Sequence, residues 1–294
     1  MRVFVTGASG WIGSAVVPEL LGAGHTVVGL ARSDASAATI EAAGAEVLRG
    51  TLDNLDVLRK GAETADGVVH LAFIHDFSDY QRSVETDLRA VQTLGAALAG
   101  SGRPFVNTSG LAGMSFGRPS TERDPVGDAS PRAASERTAL GFAEQGVRSS
   151  VVRLAPTVHG EGDSGFIATL AGIARDKGVS GYIGDGANRW PAVHRLDAAR
   201  LFRLALEQAP AGSVLHGAGE EGIPVREIAE VMGRQLDLPV IAVAPEQADE
   251  HFGWLGRFLA ADIPASSTLT QELLGWRPTG PGLLDDLEAG HYTR

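Results

Sequence analysis

The sequence predicts an α/β chain: a doubly wound parallel sheet with a smaller C-terminal lobe. Three observations predict it. Short apolar runs recur at 2–6, 26–31, 45–49, 67–71, 104–109 and 149–154. They are rich in Val, Leu and Phe, as strands buried on both faces are. Helical patterns stand between several of them, and a glycine-rich turn follows the first run at once. Strand–helix–strand alternation implies parallel pairing, right-handed crossovers and helices on both faces of the sheet.

Each element has a local reason. A helix over 11–21 follows the first strand, and one over 54–60 follows the third. Residues 80–99 place Val84, Leu88, Val91, Leu94 and Leu98 on one helical face. Ser130 followed by Pro131 is a helix start, with Ser as cap and Pro in the first turn, and the helix runs to about Glu144. Beyond residue 155 the pattern loosens. Segment 159–195 holds many glycines and reads as loop-rich. Helical patterns return at 196–206, 224–236 and 245–259, with short strands near 214–216 and 240–243. The expected division is a dinucleotide-binding core over 1–155 and a substrate lobe over 156–294, with about 193–216 returning to the core. On such a sheet, ligands bind at the carboxyl ends of the strands, so the residues just after each strand carry most of the functional weight.

Composition narrows the function. The 294 residues contain no Cys, which excludes a disulfide framework and a thiolate metal site. A chain this long buries enough surface to need neither. Twenty-five Lys and Arg against 36 Asp and Glu give a net charge of −11, which argues against a nucleic-acid partner. No apolar run approaches the ~20 residues that span a bilayer. The opening MRVFVTGASG enters a strand and turn directly, leaving no room for a signal peptide, so a cytoplasmic protein is expected. His70 and His75 lack a partner cluster at metal-ligand spacing, and no catalytic metal is expected.

The most specific segment is VFVTGASGWIGSAVVPELL. Gly7, Gly10 and Gly13 stand between a strand and a helix. Such glycines permit a tight turn and close backbone approach to a diphosphate, which the helix N-terminus then favours. This is the signature of a Rossmann-type, dinucleotide-binding sheet. The second strand ends VVGLARSD. Ala31 holds the place where an acidic residue would bind the ribose of NAD, with Arg32 and Ser33 next. A guanidinium there suits the 2′-phosphate of NADP, so NADP(H) is expected over NAD. Asp34 leaves some NAD binding open.

These residues resemble the short-chain dehydrogenase/reductase superfamily, in its extended or atypical branch of epimerases and dehydratases. GASGWIGS is similar to the family's glycine loop, which implies that Ser9, Trp11 and Ile12 join the three glycines around the cofactor. GTLDNLDVL (50–58) resembles the adenine-side segment and implicates Thr51 and Leu52. DGVVHLAF (66–73) resembles the strand under the cofactor and implicates Leu71 and Ala72. VETDLRAVQTL (84–94) resembles the helix that follows. RLAPTVHG (153–160) resembles the segment passing the nicotinamide and implicates Pro156 and Val158. VHRLDAARLFRLAL and LLGWRPTGPGL resemble a later helix and the C-terminal tail.

The resemblance implies a Tyr acid/base, a Lys four residues on, and a Ser after the fifth strand. PFVNTSG supplies Thr108 beside the cofactor and either Ser109 or Gly110 at the Ser place. PRAASER puts Arg132 and Glu136 at the Tyr and Lys places and keeps Ser135 between them. Arg has no acceptor and does not lose its proton near pH 7. A carboxylate at 136 would raise, not lower, the pKa of a neighbouring phenol. The two residues stand four apart, which suits an ion pair along the helix.

The search for catalytic groups therefore moves to Ser109, to His159 after the sixth strand, and to Tyr80 with His75 after the fourth. Tyr182, Trp190 and His194 are read as lining or packing the lobe. The leading expectation is an NADP(H)-dependent oxidoreductase reducing a ketone, aldehyde or imine-like group with a non-standard proton donor. An NADP(H)-binding redox sensor without turnover and a sugar-nucleotide epimerase or dehydratase are the alternatives. For a nucleotide diphosphate the sequence offers Arg118, Arg123, Arg153 and Arg189. The expected partner is a small molecule. The helices at 80–99 and 132–144 resemble those that pair in family dimers, which makes a homodimer a further expectation.

Overall fold

The computed structural model describes residues 1–76, 79–127 and 130–292. Seven parallel strands form the main sheet: β1 (Arg2–Thr6), β2 (Thr26–Ala31), β3 (Glu46–Arg49), β4 (Gly67–His70), β5 (Pro104–Gly110), β6 (Arg148–Leu154) and, later in the chain, Ser213–Gly217. The smaller strands are β7 (Thr157–His159), β8 (Ser180–Ile183) and β9 (Arg189–His194), so Ser213–Gly217 is β10. Then come β11 (Glu220–Pro224) and β12 (Val240–Val243). The order across the main sheet is β10-β6-β5-β4-β1-β2-β3. The chain moves outward from β1 to β3, then returns to β4 on the other side, so the topological switch lies between β1 and β4.

Helices cover both faces: α1 (Gly13–Gly22), α2 (Asp34–Ala42), α3 (Leu55–Glu63), α4 (Tyr80–Leu98), α5 (Ala133–Gly141), α6 (Phe166–Lys177), α7 (Arg195–Gln208) and α8 (Val225–Leu236). Alternation along a strand sends successive side chains to opposite layers. In β1, Val3 and Val5 join the layer with Val16, Leu20 and Phe202, while Phe4 joins the layer with Leu58, Leu94 and Phe105. A third core lies in the lobe around Ile167, Trp190, Ile228 and Phe252. The lobe carries two small sheets, β11-β9-β7 and β12-β8. The C-terminal tail returns to the main core through Leu274 and Trp276. Buried Asp197 on α7 accepts the backbone N–H groups of Thr279 and Gly280.

The predicted core strands fall within about a residue of the observed ones. Four readings need correction. Helix α2 was not among the expected elements, because only Ala37 and Ile40 are buried along it; its signal was Ser33, whose hydroxyl accepts from Ser36 N. Segment 159–195 is not mainly loop. It holds α6, β8 and β9, and Gly165 and Gly178 stand at the ends of α6. The predicted helix 245–259 breaks into short turns at Gly253, whose φ is 59°. Helix α5 starts at Ala133, after a turn closed by Ala133 N–H to Ser130 O at 3.0 Å, so Ser130 is not its cap.

The expected ion pair along α5 does not form either. Glu136 is fully buried and turns toward β6, where its Oε1 accepts Arg153 Nε at 2.9 Å and Nη2 at 2.5 Å. Arg153, itself buried, also donates to Asp124 O at 2.9 Å. Removing one partner of such a pair leaves an unanswered charge in the interior. Glu136→Lys, which sets a cation against Arg153, is therefore expected to lower unfolding free energy by roughly 3 kcal/mol or more. Urea denaturation of the purified variant measures this; unchanged stability would show that the pair is not structural.

Candidate active site

A cavity of about 970 Å³ opens over the carboxyl ends of the strands at the β1–β4 switch. The glycine loop lies against it, and Gly7, Ser9, Gly10, Trp11, Ile12 and Gly13 all line it. Gly7 has φ 70°, and a Cβ there would stand 2.8 Å from Ala72 N. A Cβ on Gly13 would stand 2.0 Å from Gly7 O. The loop closes on itself because these side chains are missing, which keeps the start of α1 within reach of a ligand. That cradle fits a dinucleotide diphosphate. Trp11 straps the loop in place: its Nε1 donates to Val158 O at 2.7 Å, and the Arg195 guanidinium lies 4.1 Å from the indole centroid.

Thr51, Leu52, Leu71, Ala72, Pro156 and Val158 line the cavity where the sequence put them. Arg32 also lines it, with its side chain exposed at the lip. Ser33 does not; its hydroxyl is spent on capping α2, and Ser36 lines the cavity instead. Asp34 stands outside, paired with Arg49 at 2.6 Å. Asp53, unforeseen, faces the cavity and pairs with Arg89 at 3.0 Å.

At the other end Thr108, Ser109, Gly110 and Arg132 line the cavity together with Phe73 and His75. Thr108 is tied down, its hydroxyl donating to His70 O at 2.8 Å. Ser109 is 3% exposed and its Oγ has no partner among the described residues. Of the two residues open for the Ser place, it alone has a hydroxyl to offer. Arg132 is held by a buried chain of groups. Its Nη2 donates to Asp87 Oδ1 at 3.0 Å, and its guanidinium lies 4.6 Å from the Phe73 ring centroid. His70 Nε2 stands 3.3 Å from the same Asp87 oxygen, and His70 Nδ1 stands 2.7 Å from Thr6 Oγ1. A carboxylate only accepts, so His70 donates to it through Nε2. Burial pushes the Asp87 carboxyl up, but Arg132 and then His70 outweigh it and hold its pKa at about 2. Arg132 thus enters the cavity as a fixed cation.

Other expected groups lie elsewhere. His159 does not reach the cavity. It is fully buried between β7 and the tail, with Nδ1 2.6 Å from Asp286 Oδ2. The chain lines the cavity from Leu154 to Val158 and leaves it one residue before His159. Tyr80 does not line the cavity; its ring packs edge-on against Phe73 at 5.8 Å. Burial pushes its phenol pKa up; Arg132 pulls the other way, and Asp87 adds to the rise. Tyr182 lies under Arg226, Trp190 donates to Ala261 O, and His194 caps α7. The cations read for a diphosphate are committed: Arg118 to Asp124, Arg153 to Glu136 and Arg189 to Asp262. Arg123 does not line the cavity.

Sequence reasoning set Arg132 at the Tyr place without a role, and did not bring Phe73, Phe166 or Trp254 into the cavity. Phe73 had a signal, being three residues beyond a strand end. Phe166 and Trp254 had none, since their place depends on how the lobe folds back. Among the described residues no helix is long and apolar enough to cross a membrane, and no group of three or more His, Asp or Glu could hold a metal.

Comparison with known proteins agrees with this geometry. An uncharacterized protein of Schizosaccharomyces pombe is 53% identical over 294 residues, spanning 99% of this chain and all of that one. One of Saccharomyces cerevisiae is 46% identical over 295 residues, 99% of both chains. A ketoreductase of Stigmatella aurantiaca, acting on a 4-hydroxy-2-methyl-3-oxo-4-farnesyl-3,4-dihydroquinoline-1-oxide, is 25% identical over 90% of this chain and 84% of its own. A dTDP-glucose 4,6-dehydratase of Streptomyces venezuelae, solved with NAD, shares the fold with a TM-score of 0.80 at 24% identity, covering 99% of this chain and 96% of that one. The model of the NAD dependent epimerase/dehydratase family matches residues 3–216, and the chain belongs to that family, in the extended branch of the short-chain dehydrogenase/reductases.

Proposed function

We propose that this protein is an NADP(H)-dependent oxidoreductase that reduces a ketone, aldehyde or imine-like group, or oxidises the matching alcohol. Ser109 carries the reading: its buried hydroxyl has no partner among the described residues, and the residue lines the same cavity as a fixed guanidinium. An unanswered buried donor costs about 1–3 kcal/mol, which a substrate oxygen would relieve. The ketoreductase relative supports the same chemistry. Bound in the glycine cradle, the nicotinamide cofactor supplies the hydride.

The residues of the chain do the rest. Ser109 Oγ–H and an Arg132 N–H donate to the substrate oxygen and stabilise the charge that develops there. Arg132 keeps its own proton, so it stabilises without acting as the acid. His75 lines the cavity beside it and delivers the proton to that oxygen, directly or through water. Arg32 favours the 2′-phosphate of NADP, and Asp34, paired with Arg49, is drawn away from the ribose. A sugar-nucleotide substrate fits less well, because three of the four cations offered for a diphosphate are paired elsewhere and the fourth, Arg123, does not line the cavity.

A second reading, an NADP(H)-binding sensor without turnover, draws on the same site. Both family positions are engaged in ion pairs, Arg132 with Asp87 and Glu136 with Arg153. The two readings separate on a panel of aldehydes, ketones and imines offered with NADPH. The enzyme consumes NADPH with some member of the panel; the sensor binds it and consumes none.

Ser109→Ala is expected to lower kcat/KM about 100-fold. Arg132→Lys keeps a charge against Asp87 but loses the planar fork, and is expected to lower kcat/KM about tenfold with little change in Tm. Steady-state kinetics and thermal melts check both. Arg32→Ala should weaken NADPH binding about tenfold and leave NADH within about twofold, measured by titration calorimetry; equal losses would point away from the 2′-phosphate. Enclosure by the cavity, and then the Arg132 charge, push the His75 pKa below its usual 6.5. Its protonated form grows only as pH falls below that value. Reduction should therefore speed up on acidification in that range, and His75→Gln should flatten the rise in a kcat–pH profile.

A further inference from the structure

The lobe side of the cavity is built from aromatic rings. Phe166, the first residue of α6, and Trp254 both line it. Phe258 lies behind, nearly parallel to Phe166 at 6.1 Å between centroids and 27° between planes. Trp254 closes the group, 5.9 Å from Phe166 and edge-on to Phe258 at 6.0 Å. Buried Trp190 supports Phe166 edge-on from below at 5.7 Å. The rings therefore hold one another in place.

Two of them remain open to water: Trp254 is 45% and Phe258 41% exposed. Single exposed apolar side chains are ordinary, but these two touch one another, and Trp254 carries their apolar surface into the cavity. The chain does extra work to present them. Gly253, with φ 59°, breaks the helical run 245–259 just before Trp254 and turns the indole to the cavity. Across the cavity Phe73 lies under the Arg132 guanidinium, next to the oxygen-binding end.

We propose that Phe166, Trp254 and Phe258 form an aromatic substrate subsite. The cavity takes carbonyl compounds that carry a flat aromatic or conjugated ring. The ring rests against this wall in offset or edge-on contact, the arrangement that quadrupoles of aromatic faces favour. The carbonyl then points to Ser109 and Arg132. The direction of the carbonyl rests on the reductase reading; the binding of the ring does not.

The test is equilibrium dialysis of 2-acetonaphthone, and of its fully saturated decalin counterpart, with protein saturated with NADP+, in which no reduction occurs. The naphthyl ketone should bind at least about threefold more tightly than the saturated one, although the latter is the more apolar. Trp254→Leu should weaken the naphthyl ketone about three- to tenfold and the saturated ketone less than about twofold. Phe258→Leu, at a second exposed position, should act in the same direction. Equal binding of the two ketones, equal losses in the variants, or no binding of either overturns the subsite. Binding in the expected pattern, with no NADPH consumed on the same ketone or on any member of the aldehyde, ketone and imine panel, supports the subsite and overturns the reductase reading instead.

Discussion

A negative charge buried at Asp87 organises the reactive end of this protein. The residue is 1% exposed, and a carboxylate so enclosed is tolerated only if it is answered at close range. His70 from β4 answers it on one side and Arg132 from the start of α5 on the other. Thr6, at the end of β1, completes the chain by meeting His70. One carboxylate thus links the strand that leads into the glycine loop, the strand beside it, and the helix that carries the cavity's cation. The contribution of Asp87 is complete above about pH 4 and is lost as pH falls toward its depressed value of about 2.

Arg132 and Glu136, four residues apart at the start of α5, read differently once their partners are known. The two residues do not answer each other along the helix. Each is answered from a different element, Arg132 by α4 and Glu136 by β6. The start of the helix is thereby fastened to α4 and its first turn to β6. Arg132 lines the cavity as a cation, and Glu136 is part of the interior.

Much of the sheet was legible because buried parallel strands leave continuous apolar runs, and β1 with its glycine loop leaves a pattern with a steric cause. The cofactor end of the site was legible for the same reason: Gly7 and Gly13 are required by close backbone approach, and a neighbouring Arg32 is a local feature. The reactive end was not. Ser109 could be placed at a strand end, but whether its hydroxyl had a partner depends on three-dimensional packing. His159 illustrates the limit, since one step along β7 separates the cavity side from a buried contact with Asp286, 127 residues away in sequence. Helix 166–177 was hidden by its glycines, Gly165 and Gly178 at its ends and Gly172 within it. The break at Gly253 was hidden by a helical pattern that continues across it.

The fastening of Trp11 has a mechanical consequence. Its indole sits on the loop between β1 and α1, while its hydrogen bond goes to the carbonyl of Val158 in β7, the first strand of the lobe. Arg195, which opens α7, lies over the same ring. A displacement of the loop thus pulls on both the lobe and α7, so the two halves of the cavity cannot be adjusted independently. The indole acts as a rivet through three layers of the chain, and its removal would loosen the alignment between the halves while leaving each half intact.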